Sequence, residues 1–289
     1  MRNVRRRAAI AVLAAALAAA CGGGPPGVEG DGRPLRVLVT NDDGIEAPGI
    51  AALAEALRAL GEVTVVAPAK NSTGASHGVT SDRPIAVRRS ERRGQAWWAV
   101  DALPATCVRL GVEELLPARP DLVVSGINRG ENLGTVTFYS ATVGAAREAA
   151  FLGIPALAVN LVTDDGADFG EAAAVTLSIV RALGRKGVPP GTLLNVNIPA
   201  LPREELRGLR VTRQDTRAPV DFFEKSVSPE GGTSYAPGWV HLEPEDEGTD
   251  IWAVRNGYVS VSVFGIDQSA AAAPAASLAL ERLLAPALR

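Results

Sequence analysis

Residues 35–49 read LRVLVTNDDGIEAPG, and the pattern of this segment indicates the architecture of the whole chain. Apolar and β-favouring residues run directly into Asn41-Asp42-Asp43-Gly44, and a helical pattern begins at Pro48. A short apolar run of this kind predicts a buried strand at 36–40, followed by a turn and a crossover helix. Two adjacent carboxylates at the mouth of a buried strand need a partner, because a buried charge is either paired or bound to a metal. The segment therefore predicts an α/β fold with a divalent cation at the end of its first strand.

Strands and helices alternate from this segment as far as Pro199. Apolar runs predict strands, and apolar residues at helical spacing predict helices. The predicted strands cover 36–40, 63–67, 120–126, 155–161 and 193–198, with a hairpin at 85–87 and 97–100; the predicted helices cover 48–60, 106–116, 139–151 and 171–183. This alternation is typical of a doubly wound, mostly parallel sheet, in which ligands bind at the carboxyl ends of the strands.

The chain changes character after Pro202. The pattern predicts a short strand at 209–213, an extended hairpin arm within 222–249, and a half-buried strand at 258–263, where apolar and polar residues alternate. Residues 269–289 predict an Ala/Leu-rich C-terminal helix that is more apolar than a lone surface helix needs. We therefore expect the arm and this helix to take part in oligomerisation.

The first twenty residues have the organisation of an export signal. Arg5-Arg6-Arg7 form a basic segment, and Ala8 to Ala20 form an uncharged apolar run that is short for a membrane span. One interpretation is a periplasmic lipoprotein anchored to the membrane through Cys21, and the other is an ordinary export signal cut near Ala20. These features divide the chain into a signal peptide (1–20), a flexible linker (21–33), a main domain (34–268) and the C-terminal helix (269–289).

The charge of the chain limits its partners. Residues 1–20 hold four arginines and no acid, so the remainder carries 25 basic against 32 acidic residues. Binding to long nucleic acids usually needs a basic surface, so we expect no nucleic acid polymer as a partner. A small phosphorylated ligand is compatible with an acidic chain, because one bound metal ion reverses the local potential.

Oxygen-bearing side chains stand at the ends of three predicted strands. They are the carboxylates of Asp42 and Asp43, the hydroxyl of Thr73 and the amide of Asn128. Oxygen ligands of this kind suit Mg²⁺, Mn²⁺ or Ca²⁺, and Gly44 permits the turn that lets both aspartates reach one ion. The alternative for the aspartates is a cap-and-turn pair. With two histidines and no Cys/His cluster, the sequence predicts no zinc site.

A glycine-containing turn and a helix start follow the third buried strand. Gly126, Gly130 and Gly134 are spaced by four residues, which fits neither the Walker nor the dinucleotide-binding fingerprint. Ser140 and Thr142 open the next helix, either as ordinary N-caps or as hydroxyl groups that hold a phosphate at the helix N-terminus. His77, in the polar loop 69–80, is a further candidate for contact with substrate.

Several of these segments together resemble the SurE family of survival-protein 5'/3'-nucleotidases, over nearly all of the chain after the linker. The matching stretches are Val39 to Ile45, Ala47-Pro48-Gly49, Val66-Ala67-Pro68 with the Asn71 to Ser76 loop, Ser125 to Asn128, Tyr139-Ser140, Gly153 to Ala156 and Val211-Thr212-Arg213-Gln214. The resemblance implies a Rossmann-like α/β three-layer sandwich and a homodimer or homotetramer that exchanges C-terminal elements. It also implies a divalent-metal-dependent phosphomonoesterase acting on nucleoside 5'- and 3'-monophosphates, and often on short polyphosphate. The family is usually cytoplasmic, whereas the N-terminal sequence of this chain predicts an export signal.

The resemblance also assigns roles to single residues. It implies that Asp42, Asp43, Thr73 and Asn128 hold one Mg²⁺ or Mn²⁺ per subunit, and that metal-activated water attacks phosphorus with Asp42 and Asp43 as catalytic residues. The remaining phosphate oxygens are expected to contact Asn41, Gly44, Gly126, Ser140 and Thr142. The alternative hypothesis is a non-catalytic nucleotide- or phosphate-binding lipoprotein with a degenerate site.

Three positions depart from the family pattern. Thr73 stands where the family usually has serine, Ala141 stands where it has glycine, and Thr106 stands where it has an aspartate. Thr73 keeps the hydroxyl but adds a stiff β-branch. If the glycine at 141 serves a positive φ angle, alanine is expected to strain the phosphate turn.

Overall fold

The computed structural model describes residues 33–163, 168–184, 187–217, 222–228, 231–238 and 242–268. The predicted signal peptide, the linker up to residue 32 with Cys21, and the C-terminal helix at 269–289 lie outside the described residues. Within the described part of the chain, no helix has both the length and the apolar character that a membrane span requires.

The elements follow one another largely as the sequence predicts. In chain order they are β1 (Leu35–Thr40), α1 (Pro48–Leu57), β2 (Gly61–Pro68), β3 (Val87–Arg92), β4 (Gln95–Val100), α2 (Pro104–Leu110), β5 (Leu122–Arg129), α3 (Ala141–Phe151), β6 (Ala156–Val162), α4 (Phe169–Leu183), β7 (Thr192–Pro199), β8 (Leu209–Thr212), β9 (Phe222–Val227), β10 (Thr233–Gly238), α5 (Asp250–Arg255) and β11 (Val259–Gly265). Short 3₁₀ turns follow α1 and precede α3, and a π-helical turn extends α2.

Nine of the described strands form one sheet in the order β3-β4-β2-β1-β5-β6-β7-β11-β8. The six central strands from β4 to β7 are parallel, while β3 pairs antiparallel with β4 and β11 pairs antiparallel with β7. Strand β8 closes the other edge, parallel to β11. The arrangement confirms the prediction of an α/β fold with a mostly parallel sheet.

Helices cover both faces of this sheet. On one face, α1 and α4 pack their apolar sides onto the strands, for example through Ile50, Leu53 and Val180. On the other face, α2 and α3 do the same through Val108 and Ala146. Apolar residues at helical spacing put one stripe of each helix on the sheet, and burying both faces explains why the central strands read as continuous apolar runs.

The strand order reverses its direction of growth between β1 and β5. From β1 the chain adds β2 and then β4 on one side, whereas β5, β6 and β7 are added on the other side. The loops that leave the carboxyl ends of β1 and β5 therefore diverge and open a crevice between them. In open α/β sheets such a switch point is the usual place for a ligand. Both the Asp42-Asp43 pair and Asn128 stand at this point.

Three predicted elements need correction. The first hairpin strand was expected at 85–87, but β3 covers Val87–Arg92, an exposed and charged edge strand without an apolar run. The helix expected at 106–116 is α2 from Pro104 to Leu110 with a π-helical turn after it. The strand expected to be half-buried, β11, is buried on both faces over its first four residues.

The polar side of β11 is buried because its hydroxyl groups bond to a neighbouring strand. Thr212 on β8 lies 2.8 Å, oxygen to oxygen, from both Ser260 and Ser262. Small hydroxyl side chains that satisfy one another can occupy the interior at little cost. Beyond β8, the arm predicted within 222–249 contains the two-stranded antiparallel ribbon β9–β10, while Trp239 and His241 lie outside the described residues.

Candidate active site

The turn after β1 is fixed by its own side chains. Asn41 donates from Nδ2 to the carbonyl of Gly44 at 2.9 Å, and Ile45 donates its amide to the carbonyl of Pro68 at 2.8 Å. Gly44 has a φ of 99°, a conformation in which a side chain would be strained. The amide donor of Asn41, predicted to contact phosphate, is thus engaged within the turn. The tight turn leaves Asp42 buried, at 2 % exposure, with Asp43 half-buried beside it.

The loop after β2 is hydrogen-bonded directly to this turn. The amide of Ser72 donates to the backbone carbonyl of Asp42 at 2.7 Å. The next residue, Thr73, is exposed, and its amide donates to Oδ1 of Asn71 at 2.7 Å. The loop that carries Thr73 is therefore bonded to the β1 turn through Ser72, the residue immediately before Thr73.

The end of β5 approaches the pair from the other side of the crevice. The amide of Arg129 donates to Oδ2 of Asp43 at 3.3 Å. The preceding Asn128 is buried and donates from Nδ2 to the carbonyl of Gly130 at 3.1 Å, so its amide oxygen remains available as a ligand. Gly126 lies against the carbonyl of Val159, where a Cβ would come within 2.4 Å of the oxygen. The close packing of β5 against β6 thus explains by itself why position 126 is a glycine.

The N-terminus of α3 points at Asp42. Thr142 donates from its hydroxyl to Oδ1 of Asp42 at 2.6 Å, and both side chains are buried. Ser140 is the N-cap, because its hydroxyl accepts from the amide of Val143 at 3.1 Å. Ser140 is therefore an ordinary N-cap, whereas the hydroxyl of Thr142 orients the carboxylate of Asp42. The positive end of the helix dipole also faces this region, which suits a bound anion.

The three departures from the family pattern are accommodated. Ala141 is the first residue of α3, and among the described residues the only non-glycine positive φ angles belong to Ser76 and Arg93. The strain expected at Ala141 is therefore absent. Thr106 accepts from the amide of Thr80 at 2.8 Å, so its hydroxyl supplies an acceptor at the position of the missing acid. Thr73 retains the hydroxyl and lies in the loop that the amide of Ser72 bonds to the carbonyl of Asp42.

The negative charges of Asp42 and Asp43 favour the binding of a cation. Burial raises the pKa of Asp42 to about 6, although the hydrogen bond from Thr142 opposes this, and the charge of Asp43 raises it further. Burial also raises the pKa of Asp43, with partial compensation from Arg129. Among the described residues, no basic side chain compensates Asp42. Two poorly compensated carboxylates beside neutral oxygen donors form a set that fits Mg²⁺ or Mn²⁺.

The raised pKa of Asp42 predicts a pH-dependent stability of the metal-free protein. Because the folded state binds this proton more tightly than the unfolded state, the free energy of unfolding should fall as pH rises from about 4 to about 6. The loss should be about 3 kcal/mol, which corresponds to raising the pKa from 3.8 to about 6. Urea unfolding in chelator should show this fall in the wild type and a smaller one in Asp42→Asn. Equal pH slopes in the two proteins would contradict the assignment.

Sequence reasoning missed a buried asparagine network that holds the loop after β5. Asn132 donates from Nδ2 to Oδ1 of Asn160 at 2.6 Å, and Asn160 donates to Oδ1 of Asn195 at 2.9 Å. Asn195 and Asn197 donate back to the carbonyl of Asn132 at 2.8 and 3.0 Å. Polar residues at inward positions of predicted buried strands are the signal that could have revealed it, because buried amides need partners.

Residues near the C-terminus support the same loop and were also missed. Asp250 accepts from the amide of Gly134 at 2.7 Å with Oδ2, and Gln214 donates to the carbonyl of Gly134 at 2.8 Å. Gln214 belongs to a stretch that matches the family, but spacing alone gave it no function. The two contacts tie the late part of the chain to the segment that leads into α3.

Comparisons with known proteins agree with this geometry. A sequence profile described as Survival protein SurE matches residues 37–221. The chain is 45% identical over 235 residues to the 5'-nucleotidase SurE of Geotalea uraniireducens, covering 81% of this chain and 94% of that protein. It is 49% identical over 243 residues to the 5'-nucleotidase SurE 1 of Thermus thermophilus, covering 82% and 94% respectively.

A solved structure shows the same architecture. The crystal structure of the SurE protein from Aquifex aeolicus superposes with a TM-score of 0.75 and 41% sequence identity. The match covers 86% of this chain and 99% of the other. The shared architecture therefore extends over most of this chain and nearly all of the solved protein.

Proposed function

The chain belongs to the survival protein SurE family, and we propose that it is a divalent-metal-dependent phosphomonoesterase that hydrolyses nucleoside 5'- and 3'-monophosphates. The observation that carries this proposal is the convergence of Asp42, Asp43, Thr73, Asn128 and Thr142 at the switch point of the sheet. The 5'-nucleotidases of the same family, at 45% and 49% identity, support the activity. Short polyphosphate is a further candidate substrate, because it offers the same terminal phosphate group.

The residues at the switch point fit one Mg²⁺ or Mn²⁺ per subunit. We propose Asp42, Asp43, Thr73 and Asn128 as its ligands, since they supply two carboxylates, a hydroxyl and an amide oxygen. When bound, such an ion neutralises charge on the phosphate and activates water as the nucleophile. The burial of Asp42 supports this role, because a cation in the crevice relieves the cost of the desolvated carboxylate.

The protein's own groups position the reacting atoms. Thr142 fixes the orientation of the Asp42 carboxylate through the 2.6 Å hydrogen bond to Oδ1. The other oxygen, Oδ2, would then be the atom that coordinates the ion or accepts a proton. The Ser140 cap fixes the first turn of α3, whose N-terminal end attracts the negative charge of the phosphate. Gly44 keeps the β1 turn tight, so that the aspartates stand at the mouth of the crevice. No observation favours the non-catalytic alternative, because the departures at Thr73, Ala141 and Thr106 are accommodated.

We also propose a homodimer or homotetramer. Apolar side chains of the β9–β10 ribbon are exposed, including Phe223 at 68 % and Tyr235 at 58 %. In addition, an apolar groove of about 550 Å³ runs between α4 and strands β8 and β11. Exposed apolar surfaces of this kind mark sites of association. Export as a periplasmic lipoprotein anchored through Cys21 remains our proposal from the N-terminal sequence.

A panel of phosphoesters tests the proposed function. The purified protein should be assayed with 5'-AMP, 3'-AMP and tripolyphosphate in Mg²⁺, in Mn²⁺ and in chelator. We expect metal-dependent release of phosphate from both nucleotides and no release in chelator. Failure to release phosphate from any nucleotide, with either metal, would contradict the proposal.

A further inference from the structure

The loop that carries Thr73 is attached to α3 at a corner formed by Ser76 and His77. Ser76 has a φ of 55°, a left-handed conformation that is uncommon for a residue other than glycine. Its amide donates to the carbonyl of Tyr139 at 3.0 Å, and its hydroxyl donates to the carbonyl of Phe138 at 2.5 Å. The corner is therefore fastened to the segment immediately before Ser140.

His77 connects this corner to a charged side chain of α3. Its Nε2 lies 2.8 Å from Oε2 of Glu148, a side chain that is only 5 % exposed. Arg109 on α2 forms an ion pair with the other carboxylate oxygen. Burial would raise the pKa of Glu148, but the partners His77 and Arg109 lower it on balance. Glu148 is therefore a buried carboxylate, and His77 Nε2 is the donor.

Packing shows that the corner and the helix are in direct contact. The imidazole of His77 lies against the ring of Phe151, with centroids 5.1 Å apart. At Gly144 a Cβ would come within 2.4 Å of the carbonyl oxygen of Ser76. A hydrogen bond to a buried carboxylate is stronger than one between neutral groups, so the His77–Glu148 contact is suited to fix this close approach.

We propose that His77 is a positioning residue of the metal site: through Glu148 it holds the loop that carries Thr73 against the helix that carries Ser140 and Thr142. The proposal rests on the proposed function in that Thr73 contributes to metal binding. His77 itself is four residues from Thr73 and bonds to Glu148, so it acts through the position of the loop. The loop is also tied to Asp42 by the amide of Ser72, so loss of His77 should loosen the Thr73 side of the site without unfolding it.

The test is Mn²⁺ binding by the purified full chain, measured by calorimetry for the wild type, His77→Ala and His77→Gln. Removal of a group that orients a metal ligand typically lowers metal affinity by about 10- to 100-fold. We therefore expect His77→Ala to weaken Mn²⁺ binding about 10-fold. His77→Gln keeps a donor and should recover most of this affinity. Raising the Mn²⁺ concentration should restore kcat with AMP in the alanine variant.

A control separates positioning from general stability. Gln95→Ala, at the amino end of β4, removes a buried hydrogen bond to the carbonyl of Ala54, and the site lies at the carboxyl ends of the parallel strands. This variant should lower thermal stability without changing Mn²⁺ affinity. If His77→Ala lowers thermal stability but binds Mn²⁺ like the wild type, the positioning role is wrong. If His77→Ala fails to fold, Glu148→Leu decides, because it removes the acceptor of the His77 hydrogen bond. Wild-type Mn²⁺ affinity in Glu148→Leu would refute the role. A wild type that binds no Mn²⁺ would instead contradict the proposed function, and the inference with it.

Discussion

Replacement of Asp42 by asparagine is expected to lower kcat for AMP hydrolysis by about 1,000-fold, the upper range for loss of one group that stabilises charge in an active site. The substituted side chain would keep the shape of the original and an acceptor for the 2.6 Å hydrogen bond from Thr142. It would remove the charge that binds the ion, so the effect should appear as lost turnover and lost Mn²⁺ affinity. Steady-state kinetics and calorimetry measure both quantities.

Folding should survive this substitution. Because the carboxyl of Asp42 is buried and its pKa is raised, the neutral amide should leave the metal-free protein at least as stable as the wild type at pH 7. Asp121→Asn is a matched control, since Asp121 pairs with Arg33 and Arg36 at the amino end of β5, opposite the site. The control should keep its kcat. Near-normal turnover in Asp42→Asn would refute the catalytic assignment.

Substitution of Gly144 by alanine should have the second largest effect. Alanine normally stabilises a helix interior relative to glycine, by up to about 1 kcal/mol. Here the new Cβ would meet the carbonyl oxygen of Ser76 at 2.4 Å and Cα of His77 at 3.0 Å, and both are backbone atoms. The loop must move away from α3, and such overpacking typically costs about 1–3 kcal/mol of stability.

The displaced loop should also impair catalysis. A shift of about 1 Å in an active-site group can reduce the rate about 100-fold, so we expect a loss of that order in kcat/KM for AMP. Ala149→Gly lies in the same buried helix and should lower the free energy of unfolding by about 1 kcal/mol without touching the loop. This control should keep kcat/KM. Wild-type kcat/KM in Gly144→Ala would show that the contact with Ser76 does not position the site.

The sequence predicted the fold because its strands are buried on both faces and its helices are amphipathic. The doubly wound sheet, and the meeting of Asp42, Asp43, Thr73 and Asn128 at the strand ends, follow from that pattern together with the rule that ligands bind at the carboxyl edge. The edge strand β3 was placed too early, because it is charged and exposed and so lacks the apolar signal.

The hydrogen-bond partners of the site residues required the structure. Thr142 bonds to Asp42, 100 residues away in the chain, and no local pattern encodes that pairing. The same holds for the pairing of His77 with Glu148 and of Gly134 with Asp250. Strain at Ala141 was an expectation about backbone angles, which a side-chain pattern specifies poorly except at glycine and proline.

The most direct test follows Mn²⁺ binding and phosphate release together. Mn²⁺ is titrated into the metal-free protein in the presence of AMP, while paramagnetic resonance reports free ion and a phosphate assay reports turnover. If the ion held at Asp42 and Asp43 drives the reaction, turnover should be absent at the start and rise in proportion to bound Mn²⁺. It should reach its plateau at one ion per subunit. Full phosphate release before any Mn²⁺ is bound would contradict the account.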